Sequence, residues 1–421
     1  MLESAHIGRP LHAQVLDQTK SSECCVSERP SRLVLAAWMA ACLTLGAQYI
    51  AAVRSPSPDH FADLHVYWGT VQQVLSGSGL YDYAASNGDP FTYPPFAAIV
   101  FLPLGLLNET AAQWVWCLGE VCALVVISWY AAAEVNRENN WSSPLVWPAA
   151  TAALALSAPV ASNIHFGQVS LMVSAATVTA VLGRRGRGGR GVALGLAAGT
   201  KLTPLALWPF LIKTQLRVAA VATASFCATV ILGMVLLPDQ SSRYWLHLLP
   251  KGAGYGDISK AGNQSLMGVM LRQHIAPEVS TQVVAAVAIP LLLWAFRRAL
   301  RAYREGKPLV GYVIMSGAAV LLSPVSWTHH QIPLILAAAW QVSSRRTVQL
   351  CFSSLVFLVM TVNLSALHIF GMLDILLDES RFLLCLALTV LVPIRTYRSG
   401  HANDSSNHPD GVRSASRFVH N

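Results

Sequence analysis

The sequence predicts an all-α, polytopic membrane fold with about ten to twelve helical spans, and three observations carry the prediction. Hydrophobic residues make up 54% of 421 positions and charged residues only 12%, where a water-surrounded domain carries about 25% charged. The apolar residues fall into runs such as Leu33–Val53, Ala111–Ala133, Val218–Leu237, Thr281–Phe296 and Thr347–Phe370, close to the roughly 20 residues that cross about 30 Å of hydrocarbon. The basic residues sit in short clusters between those runs, which is the positive-inside pattern. The net charge of +8 therefore reads as membrane anchoring, with no nucleic-acid partner. The first run is too long for a signal peptide and lacks a small-residue cleavage site.

The clusters expected on the cytoplasmic side are Arg29/Arg32, Arg184–Arg190, Lys213/Arg217, Arg297–Arg304, Arg345/Arg346 and Arg395/Arg398. Two such anchors must be separated by an even number of crossings, and this constrains the segments in order. Residues 1–30 and 398–421 are polar and without periodicity, so both are expected to be disordered cytoplasmic tails flanking a membrane domain over 31–397. Leu33–Val53 leads out, leaving 54–92 external. There the apolar spacing of Leu64, Val71, Val74 and Leu75 predicts a helix lying along the membrane, with Asp63 near its start. Phe96–Leu107 is short and follows Pro94-Pro95, so it is expected to re-enter or rest in the outer leaflet. Ala111–Ala133 then crosses.

Pro144–Val160 and Val169–Gly183 are expected to pair around an external tip at Ser162–Gln168. Gly191–Ile212 starts and ends at cytoplasmic anchors, yet about 22 residues are too few for two crossings at about 1.5 Å each. Two half-helices are expected, broken at Gly199–Pro204, with Lys201 at their tip. Such irregular backbone is tolerated at that depth only where protein or a water-filled cavity surrounds it. Val218–Leu237 leads out and Thr281–Phe296 returns, leaving 238–278 external, with Ser265 placed to cap a further helix. Leu309–Leu322 and Ile332–Val342 pair around Ser323–Gln331. Thr347–Phe370 and Arg381–Pro393 form the last pair, with an acidic tip at Asp374–Glu379.

On this layout the polar clusters gather opposite the cytoplasm or at the re-entrant tip. Each has an ordinary reading as a cap, a turn or an interfacial belt. Adjacent His329 and His330 would diverge on a helix and make a poor chelating pair, and no cysteine spacing points to a metal. A membrane transporter or flippase would share the many spans and the buried cation, but would place its site at mid-membrane and open to both sides.

The ordered set Asp63-Leu64-His65-Val66-Tyr67, Gly79-Leu80-Tyr81, Phe91-Thr92-Tyr93-Pro94-Pro95, Gly167-Gln168, Lys201-Leu202-Thr203-Pro204, Gly262-Asn263-Gln264-Ser265 and Ser323–His330 resembles glycosyltransferase family 87. Its members have the GT-C fold and are typified by polyprenol-phosphate-mannose-dependent α-mannosyltransferases. The resemblance covers about residues 33–396 and is nearest to the α-1,2-mannosyltransferases of phosphatidylinositol mannoside synthesis. One departure is Ser170, where many relatives have Asn.

The resemblance implies a plasma-membrane enzyme with its active site on the extracytoplasmic face. It implies a polyprenyl-phosphate-mannose donor, a mannosylated glycolipid acceptor and inversion at the transferred sugar. Asp63 is then the expected catalytic base, and Lys201, His329 and His330 the donor-phosphate ligands. His65, Tyr67, Tyr93, Gln168, Asn263 and Gln264 would contact sugar or acceptor. This scheme requires no cofactor or metal. An arabinofuranosyl- or lipomannan-branching transferase of the same family remains open.

Overall fold

A computed structural model describes residues 31–55, 60–251, 257–364 and 372–395. The two predicted tails lie outside the described residues. Among the described residues the chain is helical throughout, and its one extended pairing is an isolated bridge between Ala84 and Pro90.

Among the described residues, four helices are long and apolar enough to cross a membrane: α1 (Arg32–Val53), α4 (Glu109–Asn139), α10 (Leu216–Leu236) and α13 (Pro277–Arg304). Around them stand α2 (Ala62–Leu75), α3 (Pro95–Phe101), α5 (Val146–Leu156), α6 (Ala158–Phe166), α7 (Ser170–Leu182), α8 (Arg187–Thr200), α9 (Trp208–Thr214), α11 (Pro238–Ser242) and α12 (Leu266–Arg272). The chain finishes with α14 (Pro308–Leu322), α15 (Ile332–Ile335), α16 (Arg346–Thr361), α17 (Met372–Asp378) and α18 (Ser380–Val390). The core centres on α14, whose Leu309, Val310, Tyr312, Val313 and Ile314 are all fully covered by α13, α18 and α7.

Several boundaries differ from the sequence reading, each for a local reason. Pro144–Val160 is not one helix, because Pro159 cannot donate a backbone hydrogen bond and the chain restarts at Ala158. The expected tip Ser162–Gln168 is helical up to Phe166, and the turn shrinks to Gly167–Val169. The acidic tip Asp374–Glu379 is likewise helical through Asp378. The segment after Pro94 is a seven-residue α3 followed by a five-residue 3-10 stretch. That is about 20 Å of rise, short of the hydrocarbon thickness.

The break around Lys201 is present as expected. Helix α8 ends at Thr200, Lys201 is extended at φ −145° and ψ 124°, and a 3-10 turn over Thr203–Leu207 leads into α9. What aims that break is a stripe of glycines. A Cβ on Gly191 would come 2.8 Å from the Val218 carbonyl oxygen, on Gly195 2.6 Å from that of Ala222, and on Gly199 2.7 Å from Thr229 Cβ. Backbone-to-backbone approach of this kind is how helices associate in lipid, where burial supplies little drive. Helix α8 therefore lies against α10 and presents Lys201 at a fixed height.

The expected cytoplasmic arginines are partly turned inward rather than free at headgroups. Arg190 donates to the carbonyls of Ala180 (3.1 Å) and Gly183 at the end of α7. Arg298 does the same for Leu388 (3.0 Å) and Thr389 (2.5 Å) at the end of α18. A cation there satisfies carbonyls that the last turn leaves unpaired and complements the helix dipole. Lys307, 1% exposed, faces Glu138 at 3.4 Å, so the loop before α14 is tied to the end of α4.

Candidate active site

The start of α2 is held in an uncommon way. Phe61 precedes the helix with φ 47° and donates its N–H to the His165 carbonyl at 3.1 Å, which brings the first turn of α2 beside the α6–α7 turn. Gly167 makes that turn at φ +66°, and a Cβ there would lie 2.7 Å from Leu64 Cβ. Only glycine meets both demands without strain. As a result Asp63, in the first turn of α2, and Gln168, just past Gly167, face one another.

Gln168 is the hub. Its Oε1 accepts from Tyr93 Oη at 3.0 Å and from Lys201 Nζ at 3.3 Å, and its side chain hydrogen-bonds Asp63. Lys201 also donates to Ser170 Oγ at 2.9 Å and lies 5.5 Å from the centre of the Tyr93 ring. The Ser170 departure from the family pattern thus becomes an anchor for the ammonium. Tyr93 is braced by Tyr67, hydroxyl to hydroxyl at 2.8 Å, and its carbonyl accepts from Tyr81 at 2.9 Å. Burial pushes the Asp63 carboxyl above the usual carboxylate range. The Gln168 bond and the Lys201 charge pull it back down, while Asp89 adds to the rise. A base near neutrality is the kind suited to proton abstraction.

Asp63, Tyr93, Gln168, Lys201, His329 and His330 all line one cavity of about 1220 Å³. The two histidines differ from the expectation that they diverge. On a 3-10 turn (Thr328–Gln331) their ring centres are 4.6 Å apart, edge to face, and both reach the cavity. Burial, followed by the Lys201 charge, holds both imidazoles well below their ordinary value. Each is therefore a neutral N–H donor rather than a second cation. The cavity has two characters. Asp63, Asn87, Asp89, Thr92, Gln168 and Lys201 are among its polar lining, and Leu202, Leu205, Leu292, Leu293, Phe296 and Leu322 among its apolar lining.

The remaining expected contacts lie elsewhere. His65 faces Glu109, and Tyr67 is fully buried one layer behind Tyr93. Asn263 is consumed by backbone. It donates to Ile258 (2.8 Å) and Pro324 (3.2 Å), and accepts from Ser326 (2.8 Å) and Ser265 (3.3 Å). Gln264 bonds the carbonyls of Ala261 (2.9 Å) and Asp378 (3.2 Å) and the N–H of Phe382 (2.8 Å). These four residues do not line the cavity. Asn263 and Gln264 staple the loop before α12 to the Pro324–Ser326 loop and to α18, because a short amide beside three chain reversals finds backbone partners first. Ser265 caps α12 as expected, accepting from Gly268 N at 3.0 Å.

Sequence reasoning passed over Asp89 and Asn87. The only signal was position: both lie just before the Phe91–Pro95 motif.

The profile of glycosyltransferase family 87 matches residues 91–324. The chain is similar to a protein of Mycolicibacterium smegmatis described as a polyprenol-phosphate-mannose-dependent alpha-(1-2)-phosphatidylinositol pentamannoside mannosyltransferase. Identity is 32% over 337 residues, covering 77% of this chain and 79% of that protein. A Mycobacterium tuberculosis protein of the same description is 30% identical, covering 75% of this chain and 74% of its own. A second M. tuberculosis relative, a polyprenol-phosphate-mannose-dependent alpha-(1-2)-phosphatidylinositol mannoside mannosyltransferase, is 29% identical over 77% of this chain and 80% of its own length.

Proposed function

The chain belongs to glycosyltransferase family 87, and from that premise we propose that it transfers mannose from polyprenyl-phosphate-mannose to a hydroxyl of a mannosylated phosphatidylinositol. The transfer forms an α-1,2 linkage with inversion, on the extracytoplasmic side of the plasma membrane. The observation that carries the reading is the shared cavity, in which a carboxyl and an ammonium meet at one amide and apolar side chains complete the lining. A lipid-linked sugar phosphate likewise joins a polar head to a hydrocarbon chain.

In the proposed reaction the acceptor oxygen attacks the anomeric carbon as Asp63 takes its proton. The bond from that carbon to the donor phosphate breaks, and the phosphate leaves with the electron pair. General-base assistance of this kind contributes about 10²–10⁴-fold. Lys201 faces the phosphate, where preorganised charge stabilises the developing anion, and the neutral imidazoles of His329 and His330 add N–H donors. Tyr93 and Gln168 contact the sugar, and Gln168 bonds both Asp63 and Lys201. Polyprenol-phosphate-mannose and phosphatidylinositol mannosides are named in the relatives' descriptions, and the Asp63–Lys201 arrangement supports carrying both substrates over.

The test is transfer by the purified full chain in lipid nanodiscs. With polyprenyl-phosphate-mannose and a phosphatidylinositol mannoside, mass spectrometry should show one added hexose in α-1,2 linkage. Asp63→Asn should abolish that product while folded protein stays at normal yield. An active Asp63→Asn enzyme would remove Asp63 as the base. Addition of a pentose, or of a branching hexose, would move the substrate within the family.

A further inference from the structure

A carboxylate that the reaction scheme does not use lies behind the cavity. Glu120, about a third of the way along α4, is fully buried in an apolar helix and does not line the cavity. Burying an acid there is costly unless its oxygens are satisfied. Both are: Oε2 accepts from Tyr49 Oη on α1 at 3.1 Å, and Oε1 accepts from Asn163 Nδ2 on α6 at 2.7 Å.

Asn163 leads back to the site. The same Nδ2 donates to the Gln168 carbonyl at 2.8 Å, Asn163 Oδ1 accepts from Leu171 N at 3.1 Å, and the Asn163 carbonyl accepts from Gln168 N at 2.9 Å. One side chain and its backbone thus grip the Gly167–Leu171 turn at three points. An amide can present its oxygen and nitrogen in two ways, related by a half-turn. When ionised Glu120 is an acceptor only, so it selects the orientation that points Nδ2 toward itself and Oδ1 toward Leu171, the same one that the Gln168 carbonyl and the Leu171 N–H select.

We propose that Glu120 is a positioning residue for transfer: it orients Asn163, and through Asn163 it holds the Gly167–Leu171 turn so that Gln168 stays against Asp63, Tyr93 and Lys201. The inference rests on the reading of Asp63 as the base. A leucine at this position would pack the helix equally well, so mere packing does not account for an acid aimed at one amide.

The readout is the pH profile of transfer. The groups acting on Asp63 are Lys201 at the end of α8, Gln168 after α6, Asp89 before α3 and Tyr67 on its own helix. Those facing Glu120 are Tyr49 on α1 and Cys117 on α4. Gln168 favours the ionised form of Asp63. Loosening it should therefore move the acidic limb of kcat/KM to higher pH.

Glu120→Leu should lower kcat about tenfold with donor KM within about twofold, and raise the acidic limb by about half a pH unit. Glu120→Gln keeps an acceptor for Asn163 and should stay within about threefold of the native enzyme. Asn163→Ala, which releases the turn from the other side, should shift the limb the same way. It serves as the second variant if Glu120→Leu does not fold. The Glu120→Leu/Asn163→Ala pair should be non-additive, because both act through one contact. A limb that stays put in Asn163→Ala, or a Glu120→Gln enzyme no better than Glu120→Leu, overturns the proposal. Activity retained by Asp63→Asn would instead identify the base reading as the failed premise and take the positioning role down with it.

Discussion

Replacing Lys201 by Met removes the charge and leaves a side chain of similar reach. An ammonium and a phosphate oxygen about 4 Å apart attract by about 4 kcal/mol at an effective dielectric near 20. The ammonium is already lodged in the free enzyme on Ser170 Oγ at 2.9 Å and Gln168 Oε1 at 3.3 Å. Little fresh desolvation is therefore charged against donor binding. Those two bonds must be shared when a phosphate arrives, which returns about 1–2 kcal/mol. The net of about 2–3 kcal/mol predicts a loss of about 30- to 150-fold in kcat/KM for the donor. Steady-state transfer from radiolabelled polyprenyl-phosphate-mannose measures it. Inhibition by polyprenyl phosphate, which carries the same head group without the sugar, should weaken in parallel. A donor kcat/KM within about threefold of native, together with unchanged polyprenyl phosphate inhibition, would refute the phosphate role of Lys201.

Three further outcomes test how the site is built. Gly195→Val places carbon 2.6 Å from the Ala222 carbonyl and 2.5 Å from Ser225 Cβ; it should cost about 1–3 kcal/mol and lower the unfolding temperature in detergent, and an unchanged temperature would show that α8 and α10 do not need the close approach. Gly167→Ala, at φ +66° and 2.7 Å from Leu64 Cβ, should add about 1–2 kcal/mol of backbone strain and depress kcat by displacing Gln168; full activity would mean the turn tolerates a side chain. Asn263→Ala strands a buried Ser326 N–H and the Ile258 carbonyl, at about 1–3 kcal/mol each, while the Pro324 carbonyl keeps Ser265 Oγ. It should reduce thermal stability while leaving donor KM in the folded fraction near native, whereas a selective rise in KM would return Asn263 to sugar binding.

Much was legible along the chain because lipid imposes a length on each apolar run and a sign on its flanks. Helices α1, α10 and α13, the capping role of Ser265 and the break at Lys201 all follow from local rules: hydrophobic length, a side-chain cap, and a proline where a helix cannot continue. The resemblance supplied ten site residues, and the cavity gathers six of them: Asp63, Tyr93, Gln168, Lys201, His329 and His330. The sequence could not say which of the polar residues near them turn inward. Asn263 and Gln264 look like sugar ligands in a string, yet backbone groups from distant loops take their amides. Glu120 looks like a stray charge in an apolar run until Asn163 is brought to it across 43 positions. A side chain's partner is decided by what the packed bundle places within about 3 Å, and for these residues that partner comes from another helix or loop. Tertiary packing alone settled which acids, amides and cations share a space, because only packing brings those distant segments together.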